Sequence, residues 1–253
     1  MNAKPLRTIL YVDDDPDIRE IVQIALGLTQ SVTVHTAQSG EQALTLARAL
    51  RPDLVLLDVM MPGLDGPGTL GRMRADPVTA PIPVIFMTAK AMPKEVELFQ
   101  EMGAAGVIAK PFDPLQLSTQ VASLWQGLLQ SSPSRDTVAD NSALRRQVMT
   151  FGEQFLQRTR DETARMGNLI ELVQPGNIGE IDKLKHLAHR IRGSGATFGF
   201  TAISECAAEI EHLVDTLKDR DVSSATAMGS DIRRRLTEYT QRLSLEVEAA
   251  AAR

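Results

Sequence analysis

Five residues spread over the first half of the chain, Asp13, Asp14, Asp58, Thr88 and Lys110, have the chemistry to handle a phosphoryl group. Three carboxylates brought together repel one another, and the simplest stabilising partner is a hard divalent cation with oxygen ligands, Mg²⁺ being the obvious candidate. Such a metal would neutralise one edge of a phosphoryl group. The Lys110 ammonium would take a second oxygen and the Thr88 hydroxyl a third, leaving Asp58 as the nucleophile. A second constellation is the run His189-Arg190-Ile191-Arg192-Gly193-Ser194. Imidazole, with an unperturbed pKa of about 6.5, is largely neutral and nucleophilic at cytosolic pH. Arg192, three residues on, is near enough to neutralise a phosphoryl group on the ring. Helical side chains lean towards the N-terminus, so a side chain at 193 would shield the patch around His189, and Gly193 leaves it open. A mid-helix glycine costs about 1 kcal/mol, which an idle position rarely retains. Together the two sites suggest phosphoryl transfer between aspartate and histidine.

The elements that must position the carboxylate site are legible up to about Gln130. Short apolar runs alternate with amphipathic segments, the pattern of βα units and a doubly wound, five-stranded parallel sheet covered on both faces. The strand candidates are Thr8 to Val12, Val32 to Thr36, Leu54 to Asp58, Val84 to Met87 and Gly106 to Ala109. Asp13 and Asp14 follow the first, Asp58 closes the third, Thr88 follows the fourth and Lys110 the fifth. All five would gather in the crevice beyond the carboxyl ends of the strands, where open parallel sheets bind ligands. Asp15 can cap a helix with Pro16 at its first position and Ile18, Ile21, Val22 and Ala25 on one face. Gly40 to Leu50 puts Ala43, Leu44, Ala47 and Leu50 on one side, and Asp113-Pro114 opens a last helix through Leu117, Val121, Leu124 and Leu128.

Residues 131–142 (SSPSRDTVADNS) are nearly free of large apolar side chains and read as a linker, whose flexible dozen residues would span about 20 Å. The expected organisation is thus an α/β domain over 1–130, the linker over 131–142, and an all-α domain over 143–253. Its helices are expected at about Ala143 to Val173, Ile178 to Phe198, Thr201 to Asp219 and Ser223 to Ala250. They are broken at Pro175-Gly176, Gly199 and Asp221 and form an antiparallel four-helix bundle. On the second helix Ile181, Leu184, Ala188, Ile191, Gly195 and Phe198 define the buried stripe, and at 100° per residue His189 is expected to point away from it, to the surface.

Composition narrows the class. The 253 residues suit two domains, and 43% hydrophobic with 23% charged residues is ordinary for a globular protein. The net charge of −5 argues against nucleic-acid binding, and Arg233-Arg234-Arg235, beside Asp231 and Glu238, reads as a solvated helix face. One cysteine, Cys206, excludes an internal disulfide framework and fits a reducing cytosol. The apolar run Ile9 to Val12 is too short for a signal peptide, and no stretch reaches the roughly 20 residues of a membrane helix. A cytoplasmic protein without membrane contact is expected.

The segments ILYVDDD (9–15), LVLLDVMMPGLDG (54–66), VIFMTA (84–89) and AKPF (109–112) resemble the response-regulator receiver domain, a flavodoxin-like fold, over residues 6–128. The resemblance implies that Asp58 accepts phosphate from a phosphohistidine. It also implies that Asp13, Asp14 and Asp58 hold Mg²⁺ with the Met60 backbone carbonyl, and that Thr88 and Lys110 sense the phosphate. Val107 stands where the family usually has a switching aromatic, and Met60 and Lys90 bear on access of water to the aspartyl phosphate. Asp13-x-Asp15 also resembles phosphatases of the haloacid-dehalogenase type, but that reading leaves Asp58 idle and wants an acidic pair where only Asp113 stands.

The run AHRIRGSGATFG (188–199) resembles the signature of histidine-containing phosphotransfer domains, over roughly residues 142–250. There the phosphorylated histidine maps onto His189, with Arg192 where Lys is more usual and Gly193 following. His186 is accessory or neutral, and His35 and His212 lack the context. The chain would then be a phosphorelay component. It has no recognisable ATP-binding kinase motif, so the resemblance implies a separate sensor histidine kinase and another response regulator as partners. The competing reading is a receiver-controlled binding or dimerisation module whose bundle is a scaffold.

Overall fold

Runs of large aliphatic residues form five strands, β1 (Thr8–Val12), β2 (Thr33–Ala37), β3 (Leu54–Asp58), β4 (Val84–Thr88) and β5 (Gly106–Ala109). All pair in parallel in the order β2-β1-β3-β4-β5, so the strand order reverses at β1/β3. β3 and β4 are buried at every position, as a sheet covered on both faces requires. The computed structural model describes residues 5–27, 32–89, 93–129, 142–172, 178–218 and 225–252. It divides the chain into two compact units, Met1–Val148 and Met149–Arg253.

Five helices join the strands: α1 (Pro16–Gly27), α2 (Gly40–Leu50), α3 (Gly66–Ala75), α4 (Pro93–Glu101) and α5 (Pro114–Leu129). Alternation divides the sheet's side chains between its faces. Leu10, Val12, Val55, Leu57, Val84 and Phe86 share a core with Ala43, Ala47, Leu70, Met73 and Phe99. Ile9, Tyr11, Leu54, Leu56, Ile85 and Met87 are fully buried at the intervening positions. α1 begins where its cap predicts: Asp15 Oδ1 accepts from Asp17 N at 2.9 Å and from Ile18 N at 3.5 Å.

Some expectations shift. β2 lies one residue later than expected, and Thr88 is the last residue of β4 instead of following it. Leu50 and Leu128, expected on buried faces, are exposed because they sit in the last turns of α2 and α5; Trp125 is buried in α5 beside Leu117 and Val121.

The second unit is helical: α6 (Ser142–Leu172), α7 (Ile178–Thr197), α8 (Thr201–Lys218) and α9 (Ala225–Ala251). The eight ends of these four helices agree with the expected ones to within two residues, and Ser142 opens α6 instead of closing the linker. Residues 130–141 and the breaks at Pro175-Gly176 and Asp221 lie outside the described residues. All four helices contribute to one core, including Phe155, Met166, Leu184, Ala188, Ile191, Ala207, Ile210, Leu236 and Leu243. Beyond the end of α7, Gly199 has a φ of 86°, which lets Phe200 N reach Gly195 O at 2.7 Å, while Gly199 N reaches Ala196 O at 3.2 Å. The Lys185–Asp215 ion pair and the His189–Glu211 hydrogen bond run in opposite sequence directions, so α7 and α8 are antiparallel. Cys206 is buried in this core, and Arg234 pairs with Asp231 and Glu238 on an exposed face.

Candidate functional sites

Parallel pairing brings the carboxyl ends of β1, β3, β4 and β5 to one edge, and the five singled-out residues lie there. Asp13 follows β1 and is held by backbone bonds: its N–H donates to Ala37 O at 3.1 Å, and its carbonyl accepts from Arg19 Nη1 at 2.6 Å. Lys110 N donates to Thr88 O at 2.7 Å, which fixes the threonine and the lysine side by side. Asp13, Asp58 and Thr88 are buried and Asp14 is half-buried.

Lys110 Nζ lies 2.7 Å from Asp13 Oδ2 and 2.9 Å from Asp58 Oδ1, with 8% of its side chain exposed. Burial alone would pull its pKa down, but the two carboxylates outweigh burial and hold it above its ordinary value. One cation between two buried anions still leaves negative charge. Oxygens of Asp13, Asp14 and Asp58 lie within 4.8 Å of one another, a hard, anionic donor set that fits a small divalent cation such as Mg²⁺.

The loop after Asp58 is shaped by Gly66. A Cβ there would lie 2.4 Å from the Asp58 carbonyl oxygen and 2.8 Å from Val59 Cα, so only glycine allows α3 to start against the strand end. Gly66 N donates to Val59 O at 3.0 Å, and Asp65 caps α3 by accepting from Gly68 N at 2.7 Å. The half-buried Met60 lies within this loop; Lys90 lies outside the described residues. Val107 is partly buried against the sheet core.

A group that sequence reasoning missed is Tyr11, whose side chain is fully buried in β1 and whose hydroxyl donates to Asp13 Oδ2 at 2.5 Å. Burial, and then the Asp13 carboxylate, push its pKa well above the ordinary tyrosine value, so the hydroxyl stays a donor. The signal was available: Asp13 directly follows β1 and stands two residues after Tyr11, so strand alternation continued by one residue puts the two on one face.

The imidazole site differs from expectation. His189 is buried, with 8% of its side chain exposed, and its Nδ1 is 3.0 Å from Glu211 Oε1 on α8. The face of α7 that the helical wheel assigns to solvent is covered because α8 packs close beside it. At Gly195 a Cβ would already lie 3.3 Å from Ser204 N, and Ser204 Oγ donates to Arg192 O at 2.7 Å. Close approach brings Glu211 over a position that the wheel assigns to solvent. Glu211 Oε2 also accepts from Arg192 Nη1 at 3.0 Å, so one carboxylate bridges the histidine and the arginine. Burial alone would raise Glu211's pKa, but His189 and Arg192 hold it down at about 2.

Glu211 was legible in principle, since α8 buries Ile203, Ala207, Ile210 and Val214 and position 211 falls on that same stripe. Because a carboxylate only accepts, Nδ1 is the ring nitrogen that donates towards Glu211. A Cβ on Gly193 would meet nothing within 4 Å, so the space beside that turn is open. His186 is half-buried, His35 lies in β2, and His212 is exposed on α8. Next to the site, Arg190 pairs with the buried Glu162 of α6.

A family model matches within each unit. Residues 9–122 match the response regulator receiver domain and residues 152–252 match the Hpt domain. The chain is 36% identical to the transcriptional regulatory protein CseB of Streptomyces avermitilis over 65% of its own length and 68% of that protein. It is 42% identical to the DNA-binding response regulator MtrA of Mycolicibacterium smegmatis over 45% of its length and 48% of that protein. Among solved structures, the chemotaxis response regulator CheY4 of Vibrio cholerae aligns with 28% identity and a TM-score of 0.44, over 47% of this chain and 99% of that one.

Proposed function

We propose, for a chain that belongs to the response-regulator family and joins a receiver domain to an Hpt domain in a two-component phosphorelay protein, that Asp58 and His189 are its two phosphoacceptors. The observation that carries the reading is the convergence of Asp13, Asp14, Asp58 and Lys110 at one sheet edge. An Asp58 oxygen attacks phosphorus, the N–P bond of a partner's phosphohistidine breaks, and the imidazole leaves. Lys110, already 2.9 Å from Asp58 Oδ1, has the position and charge to donate to a phosphoryl oxygen, and Thr88 supplies a hydroxyl beside it. Asp13, Asp14, Asp58 and the Met60 carbonyl would hold Mg²⁺, which when bound supplies positive charge to the phosphoryl oxygens.

At His189 the Nε2 lone pair attacks phosphorus of an aspartyl phosphate, and the acyl O–P bond breaks to return a carboxylate. Glu211 keeps the ring hydrogen on Nδ1, and Arg192 can turn from Glu211 to the phosphoryl group. We assign the receiver to 1–130, the linker to 131–142 and the phosphotransfer domain to 143–253. The partners in this reading are a sensor histidine kinase and another response regulator, with no nucleic acid, in the cytoplasm. In support, no helix among the described residues is long and apolar enough to cross a membrane.

The test is phosphorylation of the full chain by a small phosphodonor with MgCl₂. Base-labile phosphate should appear on Asp58, and acid-labile phosphate on His189 once an aspartyl phosphate, its own or another receiver's, is present. Signalling and transfer that survive His189→Gln would reduce the bundle to a scaffold.

A further inference from the structure

The Tyr11 hydroxyl touches the carboxylate site and has no role in the reading above. A phenylalanine would fill the same fully buried space in β1, so the hydroxyl adds nothing to the apolar core and needs a polar partner. That partner is Asp13. Asp13 Oδ1 accepts from Asp15 N at 2.9 Å, while Oδ2 accepts both the Tyr11 hydroxyl at 2.5 Å and Lys110 Nζ at 2.7 Å. The two donors on Oδ2 differ in one decisive way. Lys110 is a cation, repelled by any divalent metal that binds the same carboxylates and drawn to any phosphoryl group on Asp58. The tyrosine hydroxyl is neutral and feels neither force as strongly.

We propose that Tyr11 is a positioning residue of the metal site: its buried hydroxyl holds the Asp13 carboxylate in orientation for Mg²⁺ when Lys110 swings from Asp13 to the phosphoryl group. This rests on the Mg²⁺ reading above. Donors that orient a ligating side chain are typically worth 10–100-fold in metal affinity. Tyr11→Phe should therefore raise the MgCl₂ midpoint about tenfold, with phosphorylation slowed at limiting MgCl₂ and restored at saturating MgCl₂.

The chain has two tyrosines, Tyr11 in the sheet and Tyr239 against the bundle core, which makes the direct test simple. The full chain is labelled with 3-fluorotyrosine and titrated with MgCl₂, with ¹⁹F resonances assigned by Tyr11→Phe and Tyr239→Phe. Backbone amides of Asp14 and Asp58 report the metal site independently. The Tyr11 resonance should shift saturably with the same midpoint as those amides, while Tyr239 stays still. A Tyr11 resonance that stays put while the amides move overturns the proposal, as does a folded Tyr11→Phe protein with the parent midpoint. Amides that do not respond to MgCl₂ at all sink the metal reading and this inference together. Should Tyr11→Phe not fold, the fluorine measurement on the parent chain still decides.

Discussion

The two sites are built on opposite plans. The carboxylate site draws its residues from four strand ends up to 97 positions apart, and each strand end is held by ladder and loop hydrogen bonds before any side chain is considered. The imidazole site draws His189, Arg192 and Gly193 from one turn of α7 and adds a single carboxylate from α8. The difference teaches where reasoning from pattern is safe. In a parallel sheet, topology dictates that chemistry collects at the carboxyl edge. On a helix, periodicity gives a direction but not the distance to the neighbouring helix, and that distance decided the burial of His189.

Substituting the acceptors tests the comparison most severely. Asp58→Asn should abolish base-labile phosphate, and His189→Gln should abolish base-stable, acid-labile phosphate while leaving Asp58 labelled, read by phosphate stability in acid and base on the full chain. If transfer runs within one chain, Asp58→Asn should also empty His189 when a small donor is the only source.

Lys110→Ala comes next. Phosphorylation of Asp58 should slow by roughly 10²-fold or more. Removing the cation from two buried carboxylates should destabilise the receiver by about 3–5 kcal/mol, partly restored by MgCl₂, with the bundle's melting transition unmoved. A bundle that melts earlier as well would break the separation of the two sites.

Acid titration sharpens the bundle side. Glu211 has its folded pKa lowered to about 2 from 4.5, so its contribution is fully present above about pH 4.5 and is lost as pH falls towards 2. The parent bundle should lose about 3 kcal/mol over that window. Glu211→Gln should flatten this dependence in pH-resolved chemical denaturation; an unchanged slope would mean that another carboxylate controls it.

The smallest effects separate two glycines. Gly193→Ala has open space for its methyl and should stabilise α7 by about 1 kcal/mol while slowing transfer to His189. Gly66→Ala meets the Asp58 carbonyl and should instead destabilise the receiver, by roughly 1–3 kcal/mol. A Gly193→Ala protein that is more stable and equally active would remove the argument for open access.

Much of this was legible. β1, β3 and β5 have the expected bounds, α1 starts at its Asp15-Pro16 cap, and the four bundle helices are where their breaks predict. The errors are local and physical. Leu50 and Leu128 satisfy a helical face but fall in last turns, and His189 lies off the apolar stripe of its own helix yet under a side chain of the next.

The sequence alone determined where the strands and helices lie, because periodicity, caps and turn residues are local properties. Only the tertiary structure decided which groups share a carboxylate. Tyr11 and Lys110 meet on Asp13 Oδ2, and His189 and Arg192 meet on Glu211, because contacts at 2.5–3.0 Å depend on how closely separate elements pack.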